Sequence, residues 1–131
     1  MNGNKALLDT NAIIFASQRK IDTAALLERY EYFYVSIVSY MEAYGYNFED
    51  QEEKELIDEL FNSLEIVNLN LDIAKLVIIY LKSKKKKIKL PDAILLATAR
   101  YLSAELVTDD WDDFKGLDDD VNIIPLDDLK V

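Results

Sequence analysis

Apolar residues recur along this chain in two alternating rhythms. Residues 5–8 (KALL), 32–36 (YFYVS), 65–69 (EIVNL), 105–108 (ELVT) and 121–125 (VNIIP) are brief apolar runs, two of them rich in aromatic or β-branched residues. That is the signature of short strands. Between them the apolar positions fall at helical spacing. Residues 11–17 and 23–30 (TAALLERY) read as helices, and Ser36 or Ser39 is placed to cap a third in IVSYMEAYGY. The stretch DQEEKELIDELFNSL puts Leu56, Ile57, Leu60, Phe61 and Leu64 on one face and acids in its first turn, which suits the helix dipole. Residues 71–86 place Ile73, Leu76, Val77, Tyr80 and Leu81 together. Pro91 sits in the first turn of PDAILLATARYLS, where proline is tolerated.

Strands therefore alternate with helices from end to end. The strands are apolar on both faces, as in a parallel sheet covered on each side. The expected fold is a three-layer α/β/α sandwich around a mainly parallel five-stranded sheet, formed as one domain over residues 1–131. Three glycines and two prolines leave no flexible joint. In such folds, ligands bind beyond the carboxyl ends of the strands.

Composition narrows the chemistry. With no cysteine there is neither a disulfide nor a thiolate metal site, and with no histidine there is no imidazole base or ligand. Acid–base or metal chemistry falls to carboxylates, lysine or tyrosine. No apolar run reaches membrane-spanning length and the N-terminus lacks a signal-peptide pattern, so a cytoplasmic protein is expected. The net charge of −10 is uneven: residues 82–100 hold 7 basic side chains and 1 acid, within an otherwise acidic chain. A polyanionic partner is therefore compatible with the charge.

Acids gather where the fold places strand ends. The first strand ends in Asp9-Thr10-Asn11 and the fourth in Thr108-Asp109-Asp110, with Asp112 and Asp113 just beyond. Glu42 and Asp92 lie in helices expected to pack at the same edge, Glu42 among apolar neighbours that look buried. Each acid has a plain structural role when taken singly: Asp9 as a cap, Asp92 as a first-turn charge, residues 109–113 as a solvated loop. Crowded at one edge, they would repel one another. A divalent cation relieves that conflict, and an oxygen-only donor set suits Mg²⁺ or Mn²⁺.

With these residues in place the chain resembles a PIN domain, and more narrowly a VapC-type ribonuclease toxin. LLDTNAII, SIVSYMEAYGY, LPDAILLATA and LVTDDWDDF resemble the family's four successive motifs, carrying Asp9, Glu42, Asp92, and Thr108 with Asp110, Asp113 and Phe114. The resemblance implies a metal-dependent endoribonuclease. Asp9, Glu42, Asp92 and Asp110 would bind one or two Mg²⁺ or Mn²⁺ ions with Asp113 assisting, while Thr10, Asn11 and Thr108 orient the ligands. It also implies an RNA substrate, a cognate antitoxin and a homodimer. Asp109 departs from the pattern, since a basic or amide residue is common there.

Lys84, Lys85, Lys86 and Lys87 have two readings: they close the helix over 71–86 and complement its dipole, or they contact an RNA backbone leading toward Asp92. The aromatics Tyr30, Tyr32, Phe33, Tyr34, Tyr40, Tyr44, Tyr46 and Phe48 are read as core or dimer interface rather than as base-stacking platforms. The competing function is a catalytically silent binding module of the same fold, or an RNA-processing nuclease that is not a toxin. A phosphoryl-transfer receiver is disfavoured because the first strand ends in one acid and IIPLDD lacks a lysine; a small phosphatase is disfavoured because Asp9-Thr10-Asn11 is not D-x-D.

Overall fold

A computed structural model describes residues 4–130. The elements are β1 (Lys5–Leu8), α1 (Thr10–Ser17), α2 (Thr23–Arg29), β2 (Tyr32–Ser36), α3 (Ile37–Tyr44), α4 (Gln51–Asn62), β3 (Glu65–Val67), α5 (Leu71–Lys82), α6 (Leu90–Leu102), β4 (Glu105–Thr108), α7 (Trp111–Phe114) and β5 (Ile123–Pro125), followed by a 3-10 turn, Leu126–Leu129. The five strands form one sheet in the order β3-β2-β1-β4-β5, and every pairing is parallel. The expected sandwich is present.

Side-chain alternation along the central strands builds the two cores. Ala6 and Leu8 of β1 and Val107 of β4 join Ile13, Ile14, Leu26 and Ile57 on the face covered by α1, α2 and α4. Leu7 and Leu106 point the other way, to Ile73, Val77, Tyr80 and Leu96 of α5 and α6. A strand residue whose neighbours face opposite layers must be apolar at every position, which is why β1 and β4 carry no alternation in hydropathy.

Helix starts follow the side-chain caps. Asp9, Asp22, Ser36, Asp50 and Asn70 each accept a backbone N–H from the first turn that follows. Of the two serines considered for α3, Ser36 caps it through Val38 N–H, while Ser39 is buried.

Several boundaries, and one role, need correction. Helix α5 stops at Lys82 rather than 86, because Ser83 turns extended and its hydroxyl accepts the Lys85 N–H. That side-chain turn competes with the helix, and four adjacent like charges oppose its continuation. Lys84–Lys87 therefore do not complement the α5 dipole; Lys82 occupies the last turn. The strand expected over 65–69 ends at Val67, because Asn70 is committed to capping. The strand over 121–125 begins only at Ile123, and the short helix α7 occupies part of the stretch over 109–113 for which a solvated loop was one reading.

The aromatics behave mainly as packing groups. Tyr40, Tyr44 and Phe61 stack at centroid distances of 5.0 to 5.2 Å, and Tyr30 meets Phe33 edge-on at 5.9 Å. Among the described residues no helix is long and apolar enough to cross a membrane.

Candidate metal centre

The chain winds outward from β1 through β2 and β3 on one side, and through β4 to β5 on the other. The direction reverses between β1 and β4. Beyond the carboxyl ends of two such strands, neighbouring loops diverge and leave a crevice. Asp9 follows β1 there, and Asp109-Asp110 follow β4.

Asp9 is 4% exposed. Its Oδ1 accepts the Ala12 N–H at 2.8 Å and so caps α1. Its Oδ2 accepts the Thr108 hydroxyl at 2.5 Å and the Asp109 N–H at 3.2 Å. Donors from the helix it caps and from a segment about a hundred residues away thus converge on one carboxylate. Burial pushes its carboxyl up to about 6; the hydrogen bonds from Thr108, Ala12 and Asp109 oppose that rise, and the charge of Asp110 adds to it. The residue is therefore a cap and also a charge kept where solvation is poor.

Thr108 is fully buried and works in both directions. Its hydroxyl donates to Asp9 and accepts the Asp110 N–H at 2.9 Å. One hydroxyl fixes the orientation of the first acid and the backbone that carries another.

Asp92 stands half-buried in the first turn of α6. Burial raises its carboxyl, and the charges of Asp113, Asp110 and Glu42 raise it further, while Lys89 pulls it down. Asp110 is raised by burial and by Asp113 and Asp109. The charges of Asp110, Asp113 and Glu42 thus all reach Asp92. Asp113 is exposed in α7, whose Phe114 is anchored in the core.

Glu42 corrects an expectation: it is exposed, not buried among its apolar neighbours. The buried positions of α3 are Ser39 and Ala43, and Met41 is itself 58% exposed. Glu42 reaches the edge through Thr10, whose hydroxyl donates to its Oε1 at 2.6 Å. Asn11 is exposed on the outer side of the same turn and, among the described residues, bonds to none of the acids.

The donor chemistry fits a hard divalent cation, being all carboxylate oxygen with its charges crowded. Among the described residues no three acids stand close enough around one point to ligate an ion as they lie.

The lysine segment divides. Lys84, Lys85 and Lys87 are exposed, whereas Lys86 donates to the carbonyls of Asp112 and Lys115 and ties the loop to the end of α7. Three contributors were not foreseen from the sequence: the Asp109 backbone N–H, Lys89 beside Asp92, and Lys130, which pairs with Asp109 at 3.0 Å. Lys89, three residues before Asp92, was within reach of a sequence reading. Lys130 was not, since no local pattern links it to the fourth strand.

The sequence profile of the PIN domain family matches residues 6–120. Among curated proteins none matches. In structure the chain is similar to a chain of a toxin–antitoxin complex from Klebsiella pneumoniae, with 30% identity and a TM-score of 0.70, covering 88% of this chain and 94% of that one. It is similar in fold to a chain of VapBC2 from Rickettsia felis bound to a promoter DNA fragment, at 20% identity and TM-score 0.75, covering 92% and 98%. The same holds for VapBC-1 from nontypeable Haemophilus influenzae, at 21% identity and TM-score 0.74, covering 94% and 98%.

Proposed function

Because this chain belongs to the PIN domain family, we propose that it is a divalent-metal-dependent endoribonuclease, the VapC-type toxin of a toxin–antitoxin pair, acting in the cytoplasm. The observation that carries the reading is the shared edge: Asp9 after β1, Asp92 in α6 and Asp110 after β4 each have a carboxyl raised there by burial and by neighbouring acids, and Thr10 ties Glu42 of α3 to the same turn. Acids gathered at a cost to stability point to a site.

In this reading Asp9, Glu42, Asp92 and Asp110 hold one or two Mg²⁺ or Mn²⁺ ions, with Asp113 assisting. The bound metal supplies a water of lowered pKa and positive charge opposite the leaving oxygen of the phosphodiester. The protein's own work is positional. Thr108 and the Ala12 and Asp109 amides aim Asp9, and Thr10 aims Glu42. Exposed Lys84, Lys85 and Lys87 offer charge to the RNA backbone, while Lys86 secures their loop. A cognate antitoxin belongs to the same proposal, supported by the toxin–antitoxin complex whose chain this one resembles, and so does a homodimer.

The test is RNA cleavage by the purified chain with Mg²⁺ or Mn²⁺, with EDTA, and with Asp9→Asn and Asp92→Asn in parallel. Metal-dependent cutting that both substitutions abolish is expected. A silent binding module is the second reading, favoured by the spread of the acids about any single point. RNA retained without cleavage in any metal, together with no Mn²⁺ binding, would select it. A neighbouring reading frame encoding a DNA-binding antitoxin separates a toxin from an RNA-processing nuclease.

A further inference from the structure

One cation at the acid edge comes from far along the chain. Lys130 Nζ lies 3.0 Å from Asp109 Oδ1 and 2.9 Å from Asp127 Oδ1. Its place is built. Lys130 forms an antiparallel bridge with Ile21, and the Asp22 N–H donates to the neighbouring Leu129 carbonyl at 2.7 Å. Leu126 and Leu129 are buried and root the turn that carries it, and its ammonium sits 5.4 Å from the Phe15 ring centroid.

Asp109 faces two ways. Its backbone N–H donates inward to Asp9, while its carboxylate is turned outward to Lys130. Like Asp112, it is an acid of this edge to which the family resemblance gives no role. Its side chain is 24% exposed, so it keeps a substantial field at short range. Left without a partner, it would stand one residue from Asp110 as a further carboxylate oxygen donor.

We propose that Lys130 is a positioning residue of the metal centre, a fixed internal cation that holds the Asp109 carboxylate out of the donor set. The inference rests on the metal-dependent reading above. Stability is not the reason for the pair, since a partly exposed ion pair contributes little to folding. Its effect lies in the number of carboxylates an incoming divalent ion meets. Releasing one carboxylate toward a divalent ion in partly screened surroundings tightens binding about three- to tenfold.

Titration calorimetry with Mn²⁺ tests this on the full chain, using wild type, Lys130→Ala, Lys130→Gln, Lys130→Arg, and Lys130→Ala combined with Asp109→Asn. The two neutral variants are expected to bind Mn²⁺ about three- to tenfold more tightly, the arginine variant to match wild type within twofold, and the double variant to lose most of the gain. Two neutral variants guard against one that fails to fold. Affinity unchanged in both, or a gain that persists in full with Asp109→Asn, overturns the proposal. Asp92→Asn serves as the control. If wild type binds Mn²⁺ and Asp92→Asn does not, a null result at Lys130 sinks this inference alone. If wild type binds none, the metal reading falls and this falls with it.

Discussion

Asp9→Asn removes the most strongly perturbed acid at the candidate site while keeping its shape. In the folded chain without metal, the carboxyl rises from 3.8 to about 6. At about 1.4 kcal/mol per unit, charged Asp9 costs about 3 kcal/mol of stability above pH 6. The sign follows from proton binding. Between pH 4 and 6 the folded state holds a proton that the unfolded state has lost, so stability falls as pH rises through that window and stays low above it. Asparagine is as good a cap as aspartate, so the Ala12 bond survives. The amide nitrogen, if turned toward Thr108 and Asp109, cannot accept their hydrogens, and that returns about 1–2 kcal/mol of the gain. Urea unfolding with EDTA at pH 5 and pH 8 reads the outcome. Wild type should lose stability between the two, and Asp9→Asn should lose about 1.4 kcal/mol less and end roughly 1–2 kcal/mol more stable at pH 8. Saturating Mn²⁺ should raise the wild type and leave the variant unmoved. A variant less stable than wild type at pH 8 with an unchanged pH slope would refute the argument and leave Asp9 as a cap only.

Other expectations follow from the same geometry. Thr108→Val removes the buried hydroxyl that donates to Asp9 and accepts from Asp110; it should cost about 2 kcal/mol at pH 8 in urea unfolding and carry the pH-dependent loss to higher pH. Asp92→Asn and Glu42→Gln should each reduce RNA cleavage by at least about a hundredfold without lowering the melting temperature, because each lightens a repulsive edge. Lys84, Lys85 and Lys87 replaced together by alanine should flatten the salt dependence of RNA affinity by about 2 in log–log slope. Lys86→Ala should act on stability instead, seen in the melting temperature, since it unties α7.

The alternation of short apolar runs with helical spacing determined the layered architecture, because a strand covered on both faces has no choice but to be apolar throughout. The acids were legible for a related reason. Asp9 follows directly on the apolar β1, Asp92 follows Pro91 in the first turn of α6, and Asp110 lies two residues beyond the end of β4. The end of α5 was not legible: Leu81 and Lys82 continue the helical rhythm, and only the Ser83 side-chain turn stops it. Glu42 was misjudged because apolar neighbours in sequence need not surround a helical side chain in space; Met41 beside it faces solvent. What the tertiary structure alone decided is the company each acid keeps. Thr108 and the Asp109 amide reach Asp9 across about a hundred residues, and Lys130 reaches Asp109 from a turn rooted beneath α1 and α2. Sequence periodicity carries information about burial, which is set by local spacing. The partner of a particular carboxylate depends on which strands become neighbours, and here β1 lies beside β4.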